Sequence, residues 1–140
     1  MSHLTEINDQ SSLLDFQTLL AAATAVSAVD PDSQAFKDDN TLLKILGGGI
    51  VILKALHNAA GGLCKIQVNF YDVDDAHIGH YLIDLNHNIL SVAPGGQRES
   101  VMTIVPGMGA HGIRVQLVEF STSTEISVLG GFQDSYDFGG

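Results

Sequence analysis

Cysteine occurs once in the 140 residues, at Cys64. A lone thiol forms no internal disulfide, so the fold has to stand on a buried core. A chain of this length manages that, burying roughly 68–70% of the surface its unfolded form exposes. Cys64 lies on the apolar side of an alternating stretch, where a buried, inert thiol is expected; a nucleophile needs a base and an electropositive setting, and the sequence offers neither. Basic residues are scarce too, six Lys or Arg against sixteen Asp or Glu, for a formal net charge of −10. They are scattered singly, so no stripe exists to neutralise phosphates, which argues against nucleic acid and against an anionic membrane surface. Nor does any apolar run reach the roughly 18 residues of a membrane span. Charged residues make up only 16% of the chain while apolar ones hold 45%, where about a quarter is the usual charged share. Together with a positive mean hydropathy, this points to a surface partly covered by another protein.

What the chain does have is alternation. Cys64-Lys-Ile-Gln-Val-Asn-Phe70 switches between apolar and polar at every step, the pattern of a strand with one buried face. Ile113–Leu117 repeats it and Glu125–Leu129 follows it loosely. Ile78–Leu85, Ile89–Val92 and Glu99–Val105 are rich in the residue types that strands favour. Leu42–Leu46 and Ile50–Leu56 flank Gly47-Gly48-Gly49 and read as two strands joined by a permissive turn, with a helix across Ile50–Ala60 as the alternative. The intervening segments, among them Asp72–His77, Pro94–Gln97 and Pro106–Gly112, are built from turn-forming types. Eight short strands with regular turns suggest a two-sheet jelly roll.

Before the strands, Ser12-Leu-Leu-Asp15 reads as a capping box, predicting a helix to about Val29 that ends at Asp30-Pro31. Leu13, Phe16, Leu19, Leu20, Ala23 and Val26 then share one arc, and the opposite side is only weakly polar, so this helix is expected to be covered on more than one side. The same stretch mimics a signal peptide, but Glu6, Asp9 and Asp15 precede it and no Lys or Arg does, the wrong charge for an n-region. The expected fold is therefore all-β: an eight-strand jelly-roll-like sandwich with one N-terminal helix, forming a single domain. Residues 1–41 supply an arm, the helix and an acidic loop, which pack on the domain or a partner. Residues 42–132 form the sandwich and 133–140 a tail.

No constellation meets the requirements of catalysis. His77, His80, His87 and His111 invite a metal, yet His77-Ile-Gly-His80 has the wrong spacing for cupin ligands, since strand residues three apart face opposite ways. Pro106-Gly-Met-Gly-Ala-His111 has its glycine one position late. Asp72-Val-Asp-Asp75 opens like a calcium loop but reaches Ala76 where the next ligand belongs. Asp84 and Glu119 are the only strand carboxylates suited to acid–base work, and nothing pairs them. Ser91 and Ser100 lack a nucleophile elbow. No metal, cofactor or enzymatic activity is expected.

The strand pattern, carried by stretches such as Cys64–Phe70 and Ile113–Phe120, resembles that of the small cement, or decoration, proteins of tailed-bacteriophage heads. Some of these are jelly rolls of about this size. The resemblance covers roughly Leu42 to Phe132. It implies a non-enzymatic virion protein, made in the host cytoplasm, that binds the capsid exterior and clamps neighbouring subunits of the major capsid protein. It also implies a homo-oligomer, with a dimer favoured. Leu13, Phe16 and Leu20 are the expected partner anchors. Two alternatives come from other classes: a trimeric fibre or receptor-binding head with the helix as stalk, and a cupin-like metal enzyme.

Overall fold

The computed structural model describes residues 16–45, 49–57, 64–85, 98–107, 109–120 and 125–133. They form eight strands and one short helix: β1 (Gln17–Ala23), α1 (Gln34–Asp39), β2 (Leu43–Lys44), β3 (Ile50–His57), β4 (Cys64–Tyr71), β5 (His77–Asp84), β6 (Arg98–Ile104), β7 (Gly112–Phe120) and β8 (Ile126–Gln133). Two four-stranded sheets, which we call A (β1-β8-β3-β6) and B (β2-β7-β4-β5), pack as a sandwich. Every pairing is antiparallel. First strand pairs with last, second with seventh, third with sixth and fourth with fifth, the nested connectivity of a jelly roll.

Period-two alternation sets the core. On β3, Val51, Leu53 and Ala55 are fully buried; on β4 so are Cys64, Ile66 and Val68; Ile113 and Val115 of β7 and Val128 of β8 join them. A fully buried Val, Leu or Ile stabilises by roughly 1.5–3 kcal/mol. Gly130 on β8 is tightly packed: a Cβ there would lie 2.5 Å from Leu19 Cδ1, 3.1 Å from a methyl of Leu53 and, from the other sheet, 3.2 Å from a methyl of Leu43. Absence of a side chain lets strands β1, β2 and β3 close over that point. Among the described residues no helix is long and apolar enough to cross a membrane.

The N-terminal expectation is overturned. Residues 17–23, expected to be helical, form β1, an edge strand of sheet A paired with β8, so the sandwich takes in a strand from before Leu42. Helix propensity is a weak prior, and here β8 supplies the partner. Two register shifts flank Leu20, which turn Leu19 into the core and let Leu20 pack against it. That consecutive pair mimicked a helical arc. The described helix is α1, inside the segment expected to be an acidic loop. Ser33 caps it, accepting the Phe36 N–H at 3.3 Å, and Phe36 is its one buried residue. Ile50–His57 is a strand, so the helical alternative fails there. The expected strand Ile89–Val92, the Ser12–Asp15 box and residues 1–10 lie outside the described residues. So does the expected tail beyond Gln133, which itself ends β8.

Candidate interaction surface

The outer face of sheet B is polar and covered. Gln67, Asn69 and Tyr71 alternate with the inward residues of β4, while Arg114 and Gln116 do so on β7, and the register sets Asn69 opposite Arg114 and Gln67 opposite Gln116. Asn69, Tyr71, Arg114 and Gln116 are all buried, because the chain between β1 and β2 crosses over them. Buried polar groups need partners, and the crossing chain provides them. Gln116 Nε2 donates to the carbonyls of Ser27 (3.4 Å) and Val29 (3.3 Å). Its Oε1 accepts from Asn69 Nδ2 at 2.9 Å and Gln67 Nε2 at 3.1 Å. The Tyr71 hydroxyl donates to the Pro31 carbonyl at 2.6 Å, and Arg114 Nε to that of Asn40 at 3.0 Å. The Arg114 guanidinium also holds Asp75 through both nitrogens, at 2.7 and 3.2 Å, and lies 4.6 Å from the centre of the Tyr71 ring. Burial pushes the Tyr71 phenol up to about 12, against the pull of Arg114. Asp32 is held below the usual carboxylate range, first by the His77 N–H and then by Lys37. The arrangement is a clamp that fastens residues 27–40 to the sheet.

The chemistry-bearing residues are absorbed in the same way. Asp72 Oδ1 accepts from the N–H groups of Asp74 and Ala76, both at 2.9 Å, which makes the stretch a closed turn, and Asp75 is taken by Arg114. Asp84 and Glu119 flank Lys65 in register instead of sharing an apolar setting. Cys64 is buried, and that burial, with Asp84 second, pushes its thiol up to about 11. His87 and Ser91 lie outside the described residues.

Two groupings escaped the sequence. A register shift where β5 meets Tyr71 puts the rings of His77 and His80 parallel, 5.9 Å between centres. Residues three apart thus meet on one face, contrary to the expectation. They sit on the outer face of sheet B, not inside the sandwich as cupin ligands would. Among the described residues no three His, Cys, Asp or Glu cluster to hold a metal. His57 Nε2 lies 3.2 Å from Ser100 Oγ, both buried in the interior, a pairing that only the β3–β6 register creates. It lies between the sheets, with the residues of the core. At one end, hollows of about 300 and 180 Å³ share Ile45 and His111. The carboxylates beside them, Asp72 and Asp75, are those already engaged.

No family profile, no characterised protein and no solved structure matches the chain.

The outer face of sheet A inverts the pattern of sheet B. Its outward positions carry Ile50, Ile52 and Leu56 on β3, Leu129 on β8, and Val101 and Val105 at β6, with the small hydroxyl residues Thr18, Thr103 and Ser127 between them. The β3 and β8 residues are half-buried; Val101 is 57% and Val105 68% exposed. Lys54 sits among them, with the Phe16 ring 5.2 Å from its ammonium. Among the described residues, no hydrogen bond fastens a crossing segment onto this face. Of the expected anchors, Leu20 packs against the core, Phe16 borders this face, and Leu13 lies outside the described residues. Phe16 and Leu20 share no helix face, since residues 17–23 form a strand.

Proposed function

We propose that this chain is a non-catalytic assembly protein that attaches to a protein shell through the outer face of sheet A. The concrete form is a decoration protein on the exterior of a tailed-phage capsid, with the major capsid protein as partner. One observation carries the reading: the apolar outward positions Ile50, Ile52, Leu56, Leu129, Val101 and Val105, on the sheet whose outer face, among the described residues, no hydrogen-bonded segment crosses. A sheet face of this kind asks for another protein. The low share of charged residues and the jelly-roll connectivity support it. The fibre-head alternative needed an N-terminal helical stalk, and β1 removes that support.

Such a protein performs no reaction. It adds contact across joints between shell subunits and raises the free energy needed to separate them. A specific interface of standard size buries roughly 1,200–2,000 Å², with a few anchors dominating the energy. The test strips the protein from purified shells and compares their resistance to heat and chelator, then adds back wild type or Ile52→Glu. Wild type is expected to restore resistance and Ile52→Glu to fail. Shells equally resistant with and without the protein would end the reading.

A further inference from the structure

We propose that the chain's own N-terminal segment, residues 1–15, folds back over the outer face of sheet A as an exchangeable cover, laying Leu13 and Leu14 on Ile52 and Leu129. The cover stands whether or not the chain attaches to a shell; only its competition with attachment rests on the reading above.

Phe16 shows where that segment arrives. β1 is the edge strand of sheet A, and β8 separates it from β3. The register sets Thr18, Leu129 and Lys54 in one outward row across these three strands. Phe16 immediately precedes β1 and stands two residues ahead of Thr18, so it faces the same way. Its ring lies 5.2 Å from the Lys54 ammonium. A contact from the start of β1 to β3 passes over β8, so the chain at Phe16 has already placed an apolar side chain on this face. Leu13 and Leu14 come directly before it, and Leu4 and Ile7 further back. Fifteen residues at roughly 3.3 Å each reach about 50 Å. Four strands about 4.8 Å apart make a sheet only about 14 Å across, so reach is ample.

Two comparisons favour this occupant. The chain already covers its other sheet with its own segment, residues 27–40, and a tethered segment meets its face at a high effective concentration that a separate protein has to overcome. A second copy fits less well. Lys54 lies midway along β3 on this face, and two copies stacked about a two-fold axis there would set Lys54 against Lys54, a juxtaposition of like charges that opposes association. The segment before Phe16 carries Glu6, Asp9 and Asp15 and no Lys or Arg.

The experiment reads the reactivity of Ile52→Cys toward a polar thiol reagent, the native Cys64 being buried. In the full chain this thiol is expected to react at least tenfold more slowly than in the same variant lacking residues 1–14. Val26→Cys, on the segment that crosses sheet B and 50% exposed, should react equally in both. Leu13→Ser with Leu14→Ser, which keeps the full length and leaves β1 intact, should unmask Ile52→Cys as truncation does, with the circular dichroism spectrum unchanged. Equal reactivity of Ile52→Cys with and without residues 1–14 overturns the proposal. Protection that vanishes on dilution, in step with the dissociation of a dimer, assigns the face to a second copy and overturns it as well. On purified shells the truncated chain should bind several-fold more tightly than the full chain if this face is the one that attaches. Protection of Ile52→Cys without that gain upholds the cover and counts against the shell reading alone.

Discussion

The two outer faces of this sandwich are opposites, and each contradicts the rule that outward means polar and wet. On sheet B, Asn69, Arg114 and Gln116 are polar and dry, because residues 27–40 lie across them and turn backbone carbonyls toward them. On sheet A, Ile50, Ile52, Leu56 and Leu129 are apolar, and Val101 and Val105 beside them are open. Hydrogen bonding makes a face specific for the one segment whose groups match it, here the chain's own. Apolar area is indifferent to direction and suits the separate partner proposed above. On that proposal the face of sheet B serves stability and the face of sheet A serves association.

If that division is right, attacks on the sheet B face should cost folding and attacks on the sheet A face should cost only binding. The largest effect is expected in alkali. The Tyr71 phenol is raised from 10.0 to about 12 and the Cys64 thiol from 9.0 to about 11. Both groups hold their protons in the folded chain beyond the pH at which the unfolded chain releases them, so unfolding gains on folding as pH rises. Stability is fully present below about pH 9 and falls between there and pH 12, by up to about 5 kcal/mol for the two groups at 1.36 kcal/mol per unit. Urea unfolding across that range measures it. Tyr71→Phe should remove about half the pH dependence; an unchanged slope would show that the phenol is not sealed beneath residues 27–40.

Next comes Arg114→Ala. Its side chain is 7% exposed while that of Asp75 is 42% exposed, so the carboxylate it abandons finds water. The expected loss is about 2–3 kcal/mol, below the 3–5 typical of a fully buried pair. Protease cleavage within residues 24–41 should accelerate in parallel. Gln116→Ala is milder, about 1–2 kcal/mol, because Asn69 Nδ2 loses its acceptor while the rest of the clamp stays. Equal resistance of wild type and both variants to urea would mean that the crossing segment contributes nothing.

Alternation exposed β4 and β7, and loosely β8, because a buried face writes a period of two into the chain; β5 and β6 showed through strand-favouring residue types, and β3 was readable as strand or helix. The covered face was illegible for the same reason. Asn69 and Gln116 read as ordinary outward polar residues, and only the path from β1 to β2 decides that they are dry. At β1 the signal misled: Leu19 and Leu20 both serve the core at a register shift, which breaks the period of two and imitates a helix. Ser33 and Phe36 did hold a readable cue, a cap followed at the third position by the one aromatic of an otherwise acidic stretch. The surrounding aspartates obscured it. The His77–His80 stack depends on a local register shift that composition does not encode.

The smallest expected effect on stability is the sharpest test of the comparison. Val101→Thr and Val105→Thr replace exposed residues with one of nearly the same shape, branched at Cβ and equally at home in a strand. Each should change unfolding free energy by no more than about 0.5 kcal/mol. What changes is the outward surface, since a hydroxyl stands where a methyl would meet the proposed partner and must be desolvated on contact. If sheet A attaches to a shell, the double variant should fold like wild type, elute like wild type, and still bind purified shells several-fold less well. The same pair of measurements on Arg114→Ala should show the reverse, a less stable chain whose folded fraction binds normally. Finding that the valine changes destabilise the fold, or that the arginine change alone abolishes attachment, would exchange the roles of the two faces.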